Sequence, residues 1–134
     1  MKIYKNLILI ILLFFIDLLT KFYFIGKNIK FFSFLYFNYT RNSGIIFGLF
    51  KNNNLFFIIL TLVIIFIVLY YYRNKNLQLG FDFVLAGAFG NLFSRIYYGH
   101  VIDFIDFKVW PIFNLADMFV VIGVLYLIIK LWKD

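Results

Sequence analysis

Apolar residues in this chain do not alternate, nor do they form one stripe per helix. They come in four nearly unbroken runs, at about residues 7–25, 55–72, 81–98 and 112–132. A helix needs about 20 consecutive apolar residues to cross a bilayer. The pattern therefore predicts one all-α integral membrane domain over residues 1–134, with four transmembrane helices and both termini on one side. The segment 26–54 is too long for a tight turn. Its run Phe31-Phe32-Ser33-Phe34-Leu35-Tyr36-Phe37-Asn38-Tyr39-Thr40 is rich in strand-forming aromatics, which predicts a small β-cradle lying on the membrane between helices 1 and 2. Asn52, Asn53 and Asn54 read as a turn before the second helix. Pro111, the sole proline, stands where the last helix is expected to begin.

Basic residues orient the runs. Lys2 and Lys5, then Arg73 and Lys75, then Lys130 and Lys133 all fall on one side, and the positive-inside rule makes that side cytoplasmic. Lys27, Lys30, Arg41, Lys51 and Lys108 occupy the longer loops opposite. The expected arrangement is N-in/C-in, with the β-cradle extracytoplasmic. The first run begins like a signal peptide, but it carries Asp17 and Lys21 and lacks a small-residue cleavage site, so it reads as an uncleaved helix.

Composition agrees with the membrane reading and narrows the chemistry. Hydrophobic residues make up 65% of the chain, well beyond a soluble domain. The 21 Phe and 10 Tyr reflect bulk composition, so single aromatics carry little functional signal. With no Cys there is no disulfide framework, thiol nucleophile or thiolate metal site, and the one His, His100, rules out an all-His site. A net charge of +7 would suggest nucleic acid in a soluble protein. Here the cations sit at helix ends and in loops, where snorkelling and lipid headgroups account for them.

Acids are scarce: there is no Glu, and the Asp residues are Asp17, Asp82, Asp103, Asp106, Asp117 and Asp134. Asp103 and Asp117 lie seven residues either side of Trp110. A helical hairpin turning there brings both to similar depth, with Asp117 about 8–9 Å inside its helix. Two carboxyls sharing a poorly solvated place cannot both ionise cheaply, so one keeps a proton. Aspartyl proteolysis requires that state, with one Asp activating water and the other polarising the scissile carbonyl. Taken singly, Asp117 could be a helix N-terminal carboxylate and Asp103 a solvated loop residue. Charged groups inside membrane spans are costly, however, and mark function by default.

Neighbouring polar residues fit the same place. Asn91 and Arg95 are four apart on one face, and Arg95 lies deep enough to call for an anionic partner such as Asp103 or Asp117. Asn114 and Asp117 are three apart, so the amide can orient the carboxylate. Asp17 and Lys21 form an i, i+4 pair that reads as structural support. Asn42-Ser43-Gly44 is either a turn or a presentation of Asn42 to a peptide backbone. Ala86 and Gly90 permit close helix packing. Asp106 and His100 are expected to be solvated, and Asp82 and Asp134 to be bystanders. Spacing does not favour a Ser/Lys dyad from Ser43, Ser94 and Lys21. A small transporter or channel subunit is the alternative from another class, but it predicts charges across the full bilayer depth, and here they gather at the outer ends.

These residues fall into four blocks: Asp17-Leu18-Leu19-Thr20-Lys21; Asn42-Ser43-Gly44-Ile45-Ile46-Phe47-Gly48; Gly87-Ala88-Phe89-Gly90-Asn91-Leu92 through Arg95, Gly99, Val101, Asp103 and Phe104; and Trp110-Pro111-Ile112-Phe113-Asn114-Leu115-Ala116-Asp117 with Gly123. In that order and spacing the chain resembles lipoprotein signal peptidase, signal peptidase II, over nearly its whole length. The resemblance implies a catalytic pair at Asp103 and Asp117, with Asn42, Asn91, Arg95 and Asn114 lining the site. It implies removal of signal peptides from diacylglyceryl-modified prolipoproteins just before the lipidated Cys. It also implies a monomer in the bacterial cytoplasmic (inner) membrane, with the site near the extracytoplasmic face, no metal or cofactor, and only substrate and membrane lipids as partners. One position departs: Ser94 stands where the family usually has Asp before its Arg. A non-catalytic prolipoprotein-binding homologue is the reading that this departure would favour.

Overall fold

A computed structural model describes residues 2–44 and 53–133. Ile45, Ile46, Phe47 and Gly48 of the second block lie outside the described residues, as do Lys51, Asn52 and Asp134. Four helices and three strands follow one another as α1 (Lys2–Phe24), β1 (Asn28–Lys30), β2 (Tyr36–Asn42), α2 (Asn54–Tyr71), α3 (Gln78–Tyr98), β3 (Val101–Asp106) and α4 (Leu115–Lys133). The strands form one antiparallel sheet in the order β1-β2-β3.

Three helices are long and apolar enough to cross a membrane: Lys5–Phe24, Asn54–Tyr71 and Leu115–Lys133. Each leaves most of its large apolar side chains exposed, a pattern that a water-exposed surface does not sustain. The helix α3 is different. Asp82, Asn91, Ser94 and Arg95 lower its hydropathy, and it is the central element, packed on α4, α1 and α2. Its apolar face, from Phe81 through Val84, Leu85 and Ala88 to Leu92, meets Ile65 and Val68 of α2. Small residues set how close its other neighbours come. A Cβ on Gly87 would strike the Ala116 carbonyl at the start of α4, and one on Gly90 would strike the Asp17 carboxylate of α1. Gly90→Ala is accordingly expected to destabilise the protein by about 1–3 kcal/mol. An unchanged unfolding temperature in detergent would mean that Asp17 yields freely.

At the end away from the sheet and from the candidate acids, Asp82 is buried. It accepts a hydrogen bond from the Tyr72 hydroxyl at 2.5 Å, and Asn6 donates to the same hydroxyl at 3.3 Å and to Gln78 at 3.4 Å. This cluster ties α1, α2 and α3 together. At the sheet end α1 stops at Gly26, whose φ of 72° is the left-handed geometry that closes a helix. Phe24 then stacks between Phe37 and Phe104, with ring centroids at 4.8 Å and 4.6 Å, and so docks the sheet on α1.

The connection between α3 and α4 differs from a simple hairpin. Val101–Asp106 reads VIDFID and pairs with β2, which places Asp103 opposite Thr40. All six residues of β3 are buried. Phe113 then bridges Ile105 in both directions, at 2.8 and 3.1 Å, so Pro111 to Phe113 run extended. The last helix therefore begins at Leu115 and not directly after Pro111. Asp106 is also buried, at 5% exposure, rather than solvated. It accepts from Asn38 Nδ2 and from both the Lys108 ammonium and the Lys108 N–H, each at 2.7 Å. Burial alone would raise its pKa, but Lys108 and Asn38 outweigh that and hold it below the usual carboxylate range. His100 is half-buried, and among the described residues its Nε2 has no hydrogen-bond partner.

Candidate active site

Three separate backbone devices converge on one point. The first is the start of α4. Asn114 accepts the Asp117 N–H on its side-chain Oδ1 at 2.9 Å, while Asp117 Oδ2 accepts the Asn114 N–H at 3.2 Å. The Asn114 carbonyl takes the first helical bond, from Met118. This is a reciprocal capping box built from Asn and Asp. Asp117 thus stands in the first turn of α4, held by the helix terminus itself and not one or more turns inside. The Ala116 N–H that remains donates to Asp17 Oδ1 of α1 at 2.8 Å.

The second device is β3, which carries Asp103 into the same place at 2% exposure. The third is the end of β2, where Asn42 accepts the Gly44 N–H on Oδ1 at 3.1 Å and is left with its NH2 pointing at Asp103 Oδ2, 2.9 Å away. Asp103 Oδ1 accepts from Asn114 Nδ2 at 2.7 Å. One residue, Asn114, therefore binds both candidate acids: Asp103 through its side-chain amide and Asp117 through its backbone. Its Nδ2 carries two hydrogens but faces three acceptors, the others being Asn91 Oδ1 at 3.1 Å and Ile102 O at 3.2 Å.

The face of α3 supplies Asn91, which donates from Nδ2 to Asp117 Oδ1 at 2.8 Å. Its Oδ1 accepts from Lys21 Nζ at 3.0 Å, and Lys21 also pairs with Asp17 at 2.7 Å. Asp17 and Lys21 are both fully buried. Seven of the eight residues singled out in the sequence thus join in one network. Arg95 stands apart. Its guanidinium lies over the Phe57 ring at 5.1 Å and, among the described residues, makes no hydrogen bond or ion pair with either carboxylate. Ser94 does not touch it. The Ser94 side chain is fully buried and donates to the Gly90 carbonyl at 3.1 Å within its own helix, a site that needs no cation.

Asp103 is perturbed in the way that shared proton chemistry requires. Burial, and after it the charge of Asp117, push its pKa up to about 7, against the pull of Asn42, Asn114 and Lys21. Asp117 is less enclosed and lines two cavities. A cleft of about 290 Å³ between α2, α3 and α4 contains Thr61, Asn91 and Arg95, and an almost wholly apolar one of about 460 Å³ is lined by Trp110, Phe113, Met118 and Ile122. Trp110 and Phe113 belong to the fourth sequence block without a site role being read from it, and for Met118 and Ile122 the signal is their spacing of four beside Asp117.

Known proteins resemble this chain in sequence and fold. A family model described as Signal peptidase (SPase) II matches residues 9–133. The lipoprotein signal peptidase of Wigglesworthia glossinidia brevipalpis is 42% identical over 144 residues, covering 96% of this chain and 94% of that protein. That of Halothermothrix orenii is 53% identical over a shorter match of 51 residues, 38% of this chain and 35% of the relative. A solved structure of a bacterial membrane enzyme superposes with a TM-score of 0.90 at 31% identity, covering 98% of this chain and 90% of the other. The capped α4 terminus, the buried strand and the polar face of α3 all lie within the matched residues, and this chain belongs to the signal peptidase II family of peptidases.

Proposed function

We propose that this chain is a membrane aspartyl endopeptidase that removes signal peptides from diacylglyceryl-modified prolipoproteins, cutting just before the lipidated Cys. The observation that carries the reading is the pair Asp103 and Asp117, joined through Asn114, with the Asp103 carboxyl near neutrality. Relatives that span nearly the full chain are named lipoprotein signal peptidases, which supplies the substrate class. The buried Asp103 serves as the neutral acid and donates a hydrogen bond, then its proton, to the scissile carbonyl oxygen. Asp117 faces the cavities as the ionised base and takes a proton from the attacking water. The tetrahedral intermediate collapses when Asp117 returns that proton to the leaving nitrogen of the lipidated Cys, while the hydroxyl that Asp103 protonated gives its proton back to Asp103 and re-forms the carbonyl. Both proton transfers are met by carboxyls, so the cycle calls for no metal or cofactor. Arg95 lines the cleft where the substrate backbone would lie, Asn42 holds Asp103 from the sheet, and Asp17 and Lys21 support the site from α1.

The same reading sets the protein in the bacterial cytoplasmic (inner) membrane as a monomer with four spans. Both termini are cytoplasmic, and the sheet and the acids lie at the extracytoplasmic face among the membrane lipids. The distribution of Lys and Arg supports this orientation. Although α3 is less apolar than the rest, Asp82 and Ser94 are buried against its neighbours and Asn91 and Arg95 face the cleft between α2, α3 and α4, so it can cross without presenting them to lipid.

The pH profile tests the dyad. Asp103 must be protonated to act, and its protonated fraction falls as pH rises through about 7. Cleavage of a diacylglyceryl-modified precursor by the purified enzyme is therefore expected to decline above that value, with the unmodified precursor left uncut. A rate that stays flat from about pH 6 to 9 would count against a shared proton, and equal cleavage of the unmodified precursor would count against the substrate assignment.

A further inference from the structure

A carboxamide has nearly the same shape when its oxygen and nitrogen are exchanged, so its partners decide which end faces where. At Asn91 that choice controls the candidate base. With Nδ2 toward Asp117 the amide donates to the carboxylate, and with Oδ1 there it would set one acceptor against another. We propose that Lys21 is a positioning residue for the reaction: its ammonium holds the Asn91 oxygen toward α1 and so directs the amide hydrogens onto Asp117. The proposal rests on the reading of Asp103 and Asp117 as the catalytic pair.

The geometry supports it from both sides of the amide. Lys21 Nζ lies 3.0 Å from Asn91 Oδ1, and Asn91 Nδ2 lies 2.8 Å from Asp117 Oδ1. An ammonium can only donate, so a flipped Asn91 would press its own NH2 against a full positive charge that is buried away from water. The other donor to Asn91 Oδ1 is Asn114 Nδ2 at 3.1 Å, and it divides two hydrogens among three acceptors. The charge-assisted bond from Lys21 is therefore the stronger constraint. Asp17 keeps the ammonium in place at 2.7 Å, and Gly90 lets Asp17 approach α3 closely enough to do so. Lys21 makes no hydrogen bond to either carboxylate of the pair, so its bonded route to Asp117 runs through Asn91, beside the direct pull of its charge on Asp103.

The experiment is a double-mutant cycle between Lys21 and Asn91, read as kcat and KM on a diacylglyceryl-modified precursor. Asp17→Asn with Lys21→Met removes both buried charges together, and the Asn oxygen can still accept the Ala116 N–H that caps α4. The pair is expected to lower kcat about 10–100-fold with KM unchanged, the usual loss when an outer hydrogen-bond partner is removed. In an Asn91→Ala background the same pair is expected to change kcat by less than about twofold, because the link is already gone. Equal losses in the two backgrounds, or no loss of kcat in the first, would overturn the proposal. Asn91→Asp serves as a second variant if the pair does not fold. It keeps an oxygen for Lys21 but has no amide hydrogen for Asp117, so a similar fall in kcat is expected, and a native kcat would overturn the proposal. Asp117→Asn assayed alongside separates the two levels: if it retains activity, the pair assignment fails first.

Discussion

Asp103→Asn and Asp117→Asn are each expected to lower the rate of prolipoprotein cleavage by about 10²–10⁴-fold, the range for losing a positioned acid or base. The two defects differ in kind. Asn at 117 keeps one oxygen, for either the Asn114 N–H or the Asn91 amide but not both, and it cannot take a proton from water. Asn at 103 keeps a donor for the scissile carbonyl but cannot pass on a proton, and its own NH2 competes with those of Asn42 and Asn114, which already point at that position. Stability should move the other way at position 103. Asp103 holds its proton more tightly in the folded protein than in the unfolded chain. Its contribution therefore falls as pH rises from about 4, where the unfolded carboxyl ionises, to about 7, where the folded one does. An Asn cannot ionise, so Asp103→Asn is expected to melt at the same or a higher temperature above pH 7. Near-native turnover by either variant would remove the dyad from the mechanism.

Asn114→Ala is expected to fail twice. The side chain is fully buried. Its loss takes away the helix cap on the Asp117 N–H and the amide donor shared among Asp103, Asn91 and the Ile102 carbonyl. A lost N-cap together with buried acceptors left short of a donor costs about 2–4 kcal/mol, visible as a lower unfolding temperature. Turnover should drop as well, because the only one of the described residues that binds both acids is gone. Asn114→Asp separates the two effects. It keeps the capping oxygen but lacks the amide donor and places a third carboxyl beside the first two, so it spares only the helix-cap part of the stability while activity falls. A variant at 114 that lost stability yet kept full turnover would show that the bridge is structural only.

Much of this molecule was legible along the chain because lipid imposes one simple rule on sequence. A spanning helix must be apolar over its whole length, so the runs that became α1, α2 and α4 stand out without any knowledge of packing, as do the polar residues that interrupt them. The helix α3 was legible for the opposite reason. Asn91 and Arg95 recur at helical spacing in a segment that is otherwise apolar, a costly placement unless the residues serve a purpose. Asp103 and Asp117 could be selected from the Asp residues because chemistry restricts which acids can share a proton. The strand-forming aromatics of residues 31–40 likewise announced β2, though not β1, which precedes them.

The remainder depended on contacts between segments far apart in sequence. Val101–Asp106 has the composition of a strand, but nothing local says that it will pair with residues some sixty positions earlier. Without that pairing it reads as part of a turn, and Asp103 and Asp106 as solvated. Asp117 was visible as an acid near a helix start. Its standing as one half of a capping box, with Asn91 on one oxygen and Asn114 on the other, needed α3 and α4 in place. Arg95 called for an anion by its depth, and the fold sets it over Phe57 in the cleft it shares with Asp117, within reach of the charges of Asp117 and Asp103 but, among the described residues, without a direct bond to either. Residue type and hydropathy depend on each position's own side chain, so the spans and the chemistry could be read from the chain. Which way an amide faces and which carboxyl keeps its proton depend on distances of about 3 Å between separate elements, and those exist only once the helices and the sheet have closed around Asn114.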